Sequence, residues 1–256
     1  MVSKKDIQLT LDLLGVVPGD TVLMHSALTA IGPVEGGAEA VIDAIMEYLG
    51  EEGTLCMSAL TFSNTVPFDA ATSKSSVGYL SEIFRCRPGT LRSLHPVHSV
   101  TASGKHAAWI TAGHEELPTG CGEGSPYTKI RDLGGKILLL GVDMDRNTSM
   151  HCMEEFLDVS YLVETTIPAP TYQPDKESFI LKKFVPGHRD FKGRTPEMRR
   201  AGILREACMG KAVVRCMNMA ELFDWGMEKM RKDPLYFLCD NPHCSFCSKA
   251  REREGR

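Results

Sequence analysis

Apolar and polar residues repeat along the chain in two periods, one typical of helices and one typical of strands. Residues 4–15 and 38–49 place apolar side chains at helical spacing, and the first of these segments ends at Gly15. The short apolar runs 21–25 and 53–57 each follow turn-forming residues and predict buried strands. This order of strand, loop, helix and strand favours an α/β layer architecture.

The middle of the chain continues the same alternation. We predict helices at 79–85, 106–112 and 149–159 from their apolar spacing. Strands are predicted at 97–102 and 136–142, and the second of these (KILLLGV) is the most apolar strand of the chain.

A polar loop and a β-rich region complete the pattern. Residues 61–76 are rich in Thr, Ser and Asn, and a loop of this length is commonly functional or mobile. Residues 160–195 alternate like a β ribbon, and residues 196–233 return to helical spacing. The charged end, residues 248–256, is expected to fray.

Composition is that of a globular protein. Apolar residues make up 43% and charged residues 24% of the 256 positions, which excludes wholesale disorder. The chain has no repeat, low-complexity tract or clear linker. We therefore expect one domain over residues 1–256, with a β-rich insertion at 160–195 and a cysteine-containing tail at 236–256.

Charge and cysteine usage limit the partners and the compartment. A net charge of −4 argues against a nucleic-acid partner, which would require a basic surface. The N-terminus does not have the pattern of a signal peptide, and no apolar run is long enough to span a membrane. Nine cysteines without disulfide-type spacing then indicate reduced thiols. We expect a cytoplasmic protein without membrane contact.

The sharpest chemical signal follows the most apolar strand. Residues 141–154 (GVDMDRNTSMHCME) end that strand and begin a helix, with one of residues 147–149 as the cap. Ligands bind at the carboxyl ends of strands in α/β folds, so we expect His151 to face a cleft. Glu154 lies three residues further on the same helical face and can orient a basic imidazole. The alternative is a capping arrangement with an incidental histidine.

Two further segments carry candidate binding residues. Residues 92–100 (RSLHPVHSV) bring polar side chains to the start of a predicted strand, where alternation places His98 and Val100 on one face. The alternative is a structural role, in which the histidines satisfy backbone carbonyls. Residues 25–37 place three glycines between a strand and a helix, where a backbone can approach a phosphate. A tight strand–helix turn is the alternative, since no established nucleotide motif is present.

The tail contains four potential metal ligands within nine residues. Cys239, His243, Cys244 and Cys247 could hold a tetrahedral zinc ion. A structural zinc site usually joins two separated pairs of ligands, and the adjacency of His243 and Cys244 strains shared coordination. We therefore predict no metal site, with zinc as the less favoured alternative.

Together, these segments resemble the aminoglycoside 3-N-acetyltransferase family, also called the antibiotic N-acetyltransferases. The resemblance is carried by HSALTAIGPVEGG at 25–37, GYLSEIFRCRPGTLRSLHPVHSVTASG at 78–104, GEGSPYTKI at 122–130 and LLLGVDMDRNTSMHCMEE at 138–155. It implies a three-layer α/β/α sandwich that is distinct from the GNAT acetyltransferases. It also implies transfer of an acetyl group from acetyl-CoA to the 3-amino group of a 2-deoxystreptamine aminoglycoside.

The resemblance implies roles for individual residues. His151 is expected to be the general base of a direct transfer within a ternary complex, and Glu154 to orient it. The oxyanion is expected to bind Thr148 or a backbone N–H of residues 26–28. An acyl-enzyme on Cys152 is the rival route, which we disfavour because neighbours on a helix point about 100° apart. The residues expected to line the cofactor are His25, Ser26, Ala27, Leu28, Gly36, Gly37, Ser99, Val100 and Ser125.

The acceptor is the least defined part of this hypothesis. A polycation requires several carboxylates, for which the candidates are Asp69, Glu123, Asp143, Asp145 and Asp158. The alternatives are a family member that acylates a different amine, or a non-enzymatic protein that binds CoA or zinc. A homodimer is also left open, because the methionines at 217, 219, 227 and 230 could pack in the core or at a subunit contact.

Overall fold

Ten α-helices, four single-turn 3₁₀ helices and nine strands lie within the described parts of the chain in a computed structural model, which describes residues 1–62, 65–184 and 187–254. The helices are α1 (Lys4–Leu13), α2 (Leu28–Ile31), α3 (Gly37–Leu49), α4 (Tyr79–Cys86), α5 (Ala107–Thr111), α6 (Pro126–Asp132), α7 (His151–Leu157), α8 (Thr195–Arg200), α9 (Met219–Lys232) and α10 (Ser245–Arg253). The strands are β1 (Thr21–Ser26), β2 (Thr54–Ser58), β3 (Leu91–Arg92), β4 (Val100–Gly104), β5 (Lys136–Leu140), β6 (Val163–Pro168), β7 (Ser178–Phe184), β8 (Arg205–Met209) and β9 (Ala212–Asn218).

A seven-stranded sheet in the order β3–β4–β2–β1–β5–β9–β8 forms the middle layer. Strand β1 pairs in parallel with β2 and with β5, whereas β4 and β9 pair antiparallel to these on the outer sides. The carboxyl ends of β1, β2 and β5 therefore meet at one edge of the sheet. Ligands bind at this edge in α/β proteins.

Side chains that alternate along the central strands supply two hydrophobic cores, one on each face of the sheet. In β1, Val22 and Met24 pack with residues of α1, α3 and α4. Leu23 packs on the opposite face with residues of α6, α7 and α9. Because helices cover both faces, the central strands are continuous apolar runs rather than half-polar ones. The layers are thus helix, sheet and helix, as the resemblance implied.

The helical prediction for residues 196–233 was wrong in its middle part. Strands β8 and β9 form a hairpin there, in which Met209 pairs with Ala212 across the two-residue turn of Gly210 and Lys211. Gly210 has a φ of +59°, which glycine adopts without strain at the first position of such a turn. The turn-forming glycine between two short runs rich in β-branched and apolar residues was the sequence signal for a hairpin.

Two further predictions need correction. The strand predicted at 97–102 begins only at Val100, because residues 96–98 form a turn, so His98 and Val100 do not share the face of a strand. The end of the chain, expected to fray from residue 248, is helical through Arg253 in α10, and residues 255 and 256 lie outside the described residues. Strand β3 and helices α2 and α6 were not predicted.

The β-rich region and the polar loop were both predicted. Strands β6 and β7 pair antiparallel as a separate two-stranded sheet within residues 160–195, of which 185 and 186 lie outside the described residues. The loop at 61–76 has no helix or strand in its described part, which excludes residues 63 and 64. Among the described residues, no helix has both the length and the apolar character that crossing a bilayer requires.

Candidate active site

An open cleft of about 520 Å³ lies at the sheet edge where β1, β2 and β5 end. Its walls include Ser26 at the end of β1, Ser58 at the end of β2 and residues 145–148 after β5. The volume falls within the range of about 300–1,000 Å³ that is usual for small-molecule sites. The cleft therefore occupies the position expected for a ligand site in this sheet topology.

His151, the first residue of α7, lines this cleft. Its Nδ1 lies 2.6 Å from Oε2 of Glu154, because residues three apart on a helix share a face. The His151 side chain is 21% exposed, whereas the Glu154 side chain is fully buried. Since Nδ1 is held by the carboxylate, Nε2 is the nitrogen that can exchange a proton with a ligand.

Glu154 is a buried anion held by three partners. Besides His151, the Tyr161 hydroxyl donates to Oε1 over 2.9 Å, and Arg189 donates to the same oxygen from Nε. Burial disfavours the carboxylate, but the charge of Arg189 and the His151 hydrogen bond outweigh burial and lower the pKa of Glu154. Tyr161 and Arg189 were not predicted from the sequence, because no local periodicity links them to α7.

Three of the nine predicted cofactor residues line the cleft: His25, Ser26 and Ala27. His25 is buried, and burial lowers its pKa to about 4, so the imidazole is neutral near pH 7. Its Nε2 has no hydrogen-bond partner among the residues that the structure describes. A buried polar atom beside a cleft is suited to bind a ligand.

The other six predicted cofactor residues do not border the cleft: Leu28, Gly36, Gly37, Ser99, Val100 and Ser125. Leu28 begins the short helix α2, and both Gly36 and Gly37 have left-handed φ angles at the start of α3.

Three of those six residues are completely buried. The Ser99 hydroxyl donates to the Ala59 carbonyl and accepts from Arg92. Val100, the first residue of β4, belongs to the hydrophobic core on one face of the sheet. Ser125 caps α6 by accepting a hydrogen bond from the Thr128 N–H. Their contacts thus support neighbouring segments.

Asn147 and Thr148 bring two further polar groups to the cleft beside His151. The Asn147 Oδ1 accepts from the backbone N–H and the hydroxyl of Ser149, which agrees with a predicted cap. Its Nδ2 is buried and has no hydrogen-bond partner within the described ranges of the chain. The sequence predicts Asn147 only as a cap, because the orientation of its amide is visible only in the structure.

The histidines of residues 92–100 divide into two roles. His98 lines the cleft, and burial lowers its pKa to about 3. The Nδ1 of His95 accepts hydrogen bonds from the N–H groups of Val97 and His98, which stabilises the turn before β4. His95 therefore has a structural role, although its ring accepts from backbone N–H groups rather than satisfying backbone carbonyls as expected, whereas His98 faces the site.

Among the five candidate carboxylates for the acceptor, Asp145 alone lines the cleft, next to Arg146. The other four have partners elsewhere: Asp69 bonds to Thr72 and Thr171, Glu123 pairs with Arg131, Asp143 with Lys192 and Arg215, and Asp158 with Lys183. Cys152 is buried in the core and does not line the cleft.

The cysteines of the tail converge, but with a different histidine from the one named in the zinc alternative. One ligand atom from each of His188, Cys239, Cys244 and Cys247 lies within 4.8 Å of the others. His243 is exposed and does not belong to this group, which we call the tail cluster. The ligand set of the less favoured zinc alternative is therefore wrong at His243, which is close to the cysteines in sequence but lies outside the tail cluster.

Residues 23–231 match the family described as aminoglycoside 3-N-acetyltransferase, and the chain belongs to this family. A curated relative, aminoglycoside N(3)-acetyltransferase III of Serratia marcescens, is 36% identical over 189 residues, which are 65% of this chain and 70% of the relative. The membership that the sequence motifs implied is confirmed.

Solved structures of similar enzymes confirm the fold. A mutant of aminoglycoside acetyltransferase AAC(3)-IVa, in complex with a gentamicin, has a TM-score of 0.89 at 28% identity and covers 98% of this chain and 97% of its own. AAC-IIIb in a binary complex with CoASH has a TM-score of 0.80 at 28% identity, covering 94% and 99%.

Proposed function

We propose that the protein is a cytoplasmic, single-domain N-acetyltransferase that uses acetyl-CoA to acetylate the 3-amino group of a 2-deoxystreptamine aminoglycoside. The observation that carries the proposal is the His151–Glu154 pair, with an imidazole edge facing the cleft and a buried carboxylate behind it. The names of the relatives and the CoA and gentamicin complexes of similar enzymes support the cofactor and the acceptor.

The proposed reaction is direct transfer in a ternary complex. His151 Nε2 removes a proton from the acceptor ammonium, and the free amine attacks the thioester carbon of acetyl-CoA. The tetrahedral intermediate collapses with cleavage of the C–S bond, the nitrogen releases its second proton to solvent, and the proton on His151 passes to the departing thiolate. The Thr148 hydroxyl and the Asn147 Nδ2 are the donors that we propose for the oxyanion.

The cofactor residues divide by their position. We propose that His25, Ser26 and Ala27 contact the cofactor directly, with the unpartnered Nε2 of His25 as a hydrogen-bonding atom. Gly36 and Gly37 remain proposed backbone contacts at the start of α3, where N–H groups attract phosphate. Leu28, Ser99, Val100 and Ser125 are proposed to position these segments.

A second acceptor class is favoured by the charges of the cleft. Among its described lining residues, Asp145 is the one carboxylate and Arg146 opposes it. A polycation gains most from several converging carboxylates. An amine with fewer positive charges is therefore the alternative substrate for the same acyl transfer.

The test is release of free thiol from acetyl-CoA with a panel of aminoglycosides and simpler amines. We expect thiol release with at least one 2-deoxystreptamine compound, a product heavier by one acetyl group, and loss of turnover in His151→Ala. His243→Ala, an exposed histidine outside the cleft, is the matched control and should retain turnover. Turnover with simple amines but with no aminoglycoside would show that the acceptor is a simple amine. No turnover with any amine would refute the enzymatic proposal.

A further inference from the structure

We propose that His188, Cys239, Cys244 and Cys247 bind one structural zinc ion, which ties the tail to the segment that carries Arg189. These four side chains form the tail cluster and come from two separated parts of the chain. His188 precedes α8, whereas the cysteines flank and enter α10. A structural zinc site usually includes ligands from a second, separated segment, and the tail alone does not provide one. His188, which lies in the β-rich region, is that ligand.

The distances within the tail cluster fit tetrahedral coordination. The Sγ atoms of Cys239 and Cys247 lie 3.5 Å apart. The Nδ1 of His188 lies 3.7 Å from Sγ of Cys247 and 3.9 Å from Sγ of Cys244. Zn–S bonds of about 2.3 Å and Zn–N bonds of about 2.0–2.1 Å place tetrahedral ligands about 3.6–3.8 Å from one another. Small shifts therefore suffice to enclose an ion.

The local backbone brings the ligands together. Cys244 and Cys247 form a C-x-x-C pair at the start of α10, a spacing that is common in zinc sites. Gly187 has a left-handed φ of +78°, and the ring of Phe246 occupies the space that a Cβ at this position would need. Glycine at 187 thus lets the segment of His188 approach the C-x-x-C pair closely.

The ligand set indicates a structural rather than a catalytic ion. Three cysteines and one histidine fill all four tetrahedral positions, so no position is left for water or substrate. Cys239 and Cys247 are buried, and the tail cluster does not border the active-site cleft. The ion would stabilise the fold of the tail in the way that closed zinc sites stabilise small modules.

The segment that the ion would hold contacts Glu154, the buried carboxylate behind His151. Arg189 directly follows His188, and its guanidinium lies 4.9 Å from the ring centre of Phe246 in α10. The same side chain donates to the buried carboxylate of Glu154. The zinc site would therefore position Arg189 against Glu154. This last link rests on the proposed function, whereas zinc binding itself does not.

Metal analysis of the purified protein tests the site. We expect about one zinc ion per chain, and Co²⁺ exchanged into the site should show tetrahedral d–d and thiolate-to-metal absorption. His188→Ala should abolish both signals, while His188→Cys should restore them as a Cys₄ site. The matched control His243→Ala should bind zinc and Co²⁺ as the parent does. Absence of zinc from the purified protein, or an equal loss of bound metal in His188→Ala and His243→Ala, would overturn the proposal.

A disulfide between Cys239 and Cys247 is the rival explanation for their proximity. Alkylation of the unreduced protein followed by mass spectrometry distinguishes the two, since zinc thiolates become alkylated after chelation and a disulfide does not. A disulfide in metal-free protein would overturn the zinc site. His151→Ala should retain its full zinc content, so failure of the acyl-transfer proposal can be recognised separately.

Discussion

Arg189 donates a hydrogen bond from Nε to Oε1 of Glu154, although the two residues lie 35 positions apart. Their side chains are only 3% and 0% exposed, so the contact is a buried ion pair. The net stability gained from such a pair is generally small, but loss of one partner leaves a buried charge without compensation. The arrangement keeps Glu154 ionised beneath His151, where a carboxylate can hold the imidazole in one orientation.

Arg189→Met should destabilise the protein at neutral pH by about 3–5 kcal/mol, because the buried Glu154 carboxylate loses the charge of Arg189 and keeps only the His151 and Tyr161 hydrogen bonds. In the parent, the lowered pKa of Glu154 stabilises the fold above the ordinary pKa of the group, and this stability is lost as pH falls through the lowered value. Without Arg189, His151 is the main group that opposes the effect of burial, so we expect the pKa of Glu154 to rise above its ordinary value and the variant to lose stability as pH rises. Urea denaturation at pH 5 and pH 8 measures this difference.

The double variant Glu154→Gln/Arg189→Met is the control for this explanation. It removes both charges, so it should recover much of the stability lost at pH 8 while turnover remains impaired. If the double variant is no more stable than Arg189→Met at either pH, the ion pair is not the cause of the destabilisation.

Asn147→Asp should reduce kcat by about 10²–10³-fold, the usual loss when one oxyanion donor is removed. Aspartate keeps the acceptor oxygen that caps Ser149 but lacks the Nδ2 donor that lies buried at the cleft. The KM for acetyl-CoA should change little, because the donor acts mainly in the transition state. Steady-state kinetics measures both quantities.

Asn218→Asp provides a matched comparison. Asn218 caps α9 through Oδ1, as Asn147 caps its own turn, but it lies outside the cleft. This variant should retain the parent kcat. Equal losses in the two variants would indicate that capping, rather than oxyanion stabilisation, accounts for the effect.

A contact could be predicted from the sequence where the two interacting residues lie within one turn of a helix. His151 and Glu154 could be paired from their spacing alone, and the position of the pair followed from the apolar strand β5 before it. The three parallel strands β1, β2 and β5 were predictable for a similar reason, since each is a short, largely apolar run.

Contacts between distant segments could not be read from local periodicity. Arg189 joins Glu154 and His188 joins the tail cysteines through the β-rich region, where neither residue has a diagnostic spacing. The zinc alternative named His243 because it is close to the cysteines in sequence, whereas His188 is the histidine that is close to them in space. The hairpin of β8 and β9 was missed although its glycine turn was visible in the sequence.

Glu155→Gln should stabilise the protein at alkaline pH. Both carboxylate oxygens of Glu155 lie 3.0 Å from the Cys121 backbone nitrogen, and burial raises the pKa of Glu155 to about 8. A carboxyl group with a raised folded pKa stabilises the fold fully below its ordinary pKa of 4.5. That contribution is lost by up to about 1.4 kcal/mol per pH unit as pH rises toward 8.

Thermal unfolding at pH 5, 7 and 9 measures this effect. Glutamine cannot ionise and keeps one acceptor for Cys121, so the advantage of Glu155→Gln over the parent should grow with pH. The exposed Glu164→Gln is the control and should follow the parent at each pH. A constant difference between Glu155→Gln and the parent across the series would contradict ionisation as the cause.

Asp145→Asn should weaken binding of the acceptor more than binding of acetyl-CoA. Asp145 is the single carboxylate among the described residues of the cleft wall, and its side chain is 43% exposed to an approaching cation. A partly solvated charge pair contributes about 0.2–1 kcal/mol, so KM for the amine should rise by about 1.4- to 5-fold at low salt. The rise should diminish as ionic strength increases.

Glu123→Gln separates this local effect from a general loss of negative charge. Glu123 is an exposed carboxylate that pairs with Arg131 and does not border the cleft, so its removal changes the net charge equally. Initial rates for both variants with one polycationic aminoglycoside and one monoamine decide the matter. A larger KM effect of Asp145→Asn on the polycation indicates an aminoglycoside acceptor, because several charges then approach the same carboxylate. Equal effects of the two variants would exclude Asp145 as an acceptor contact.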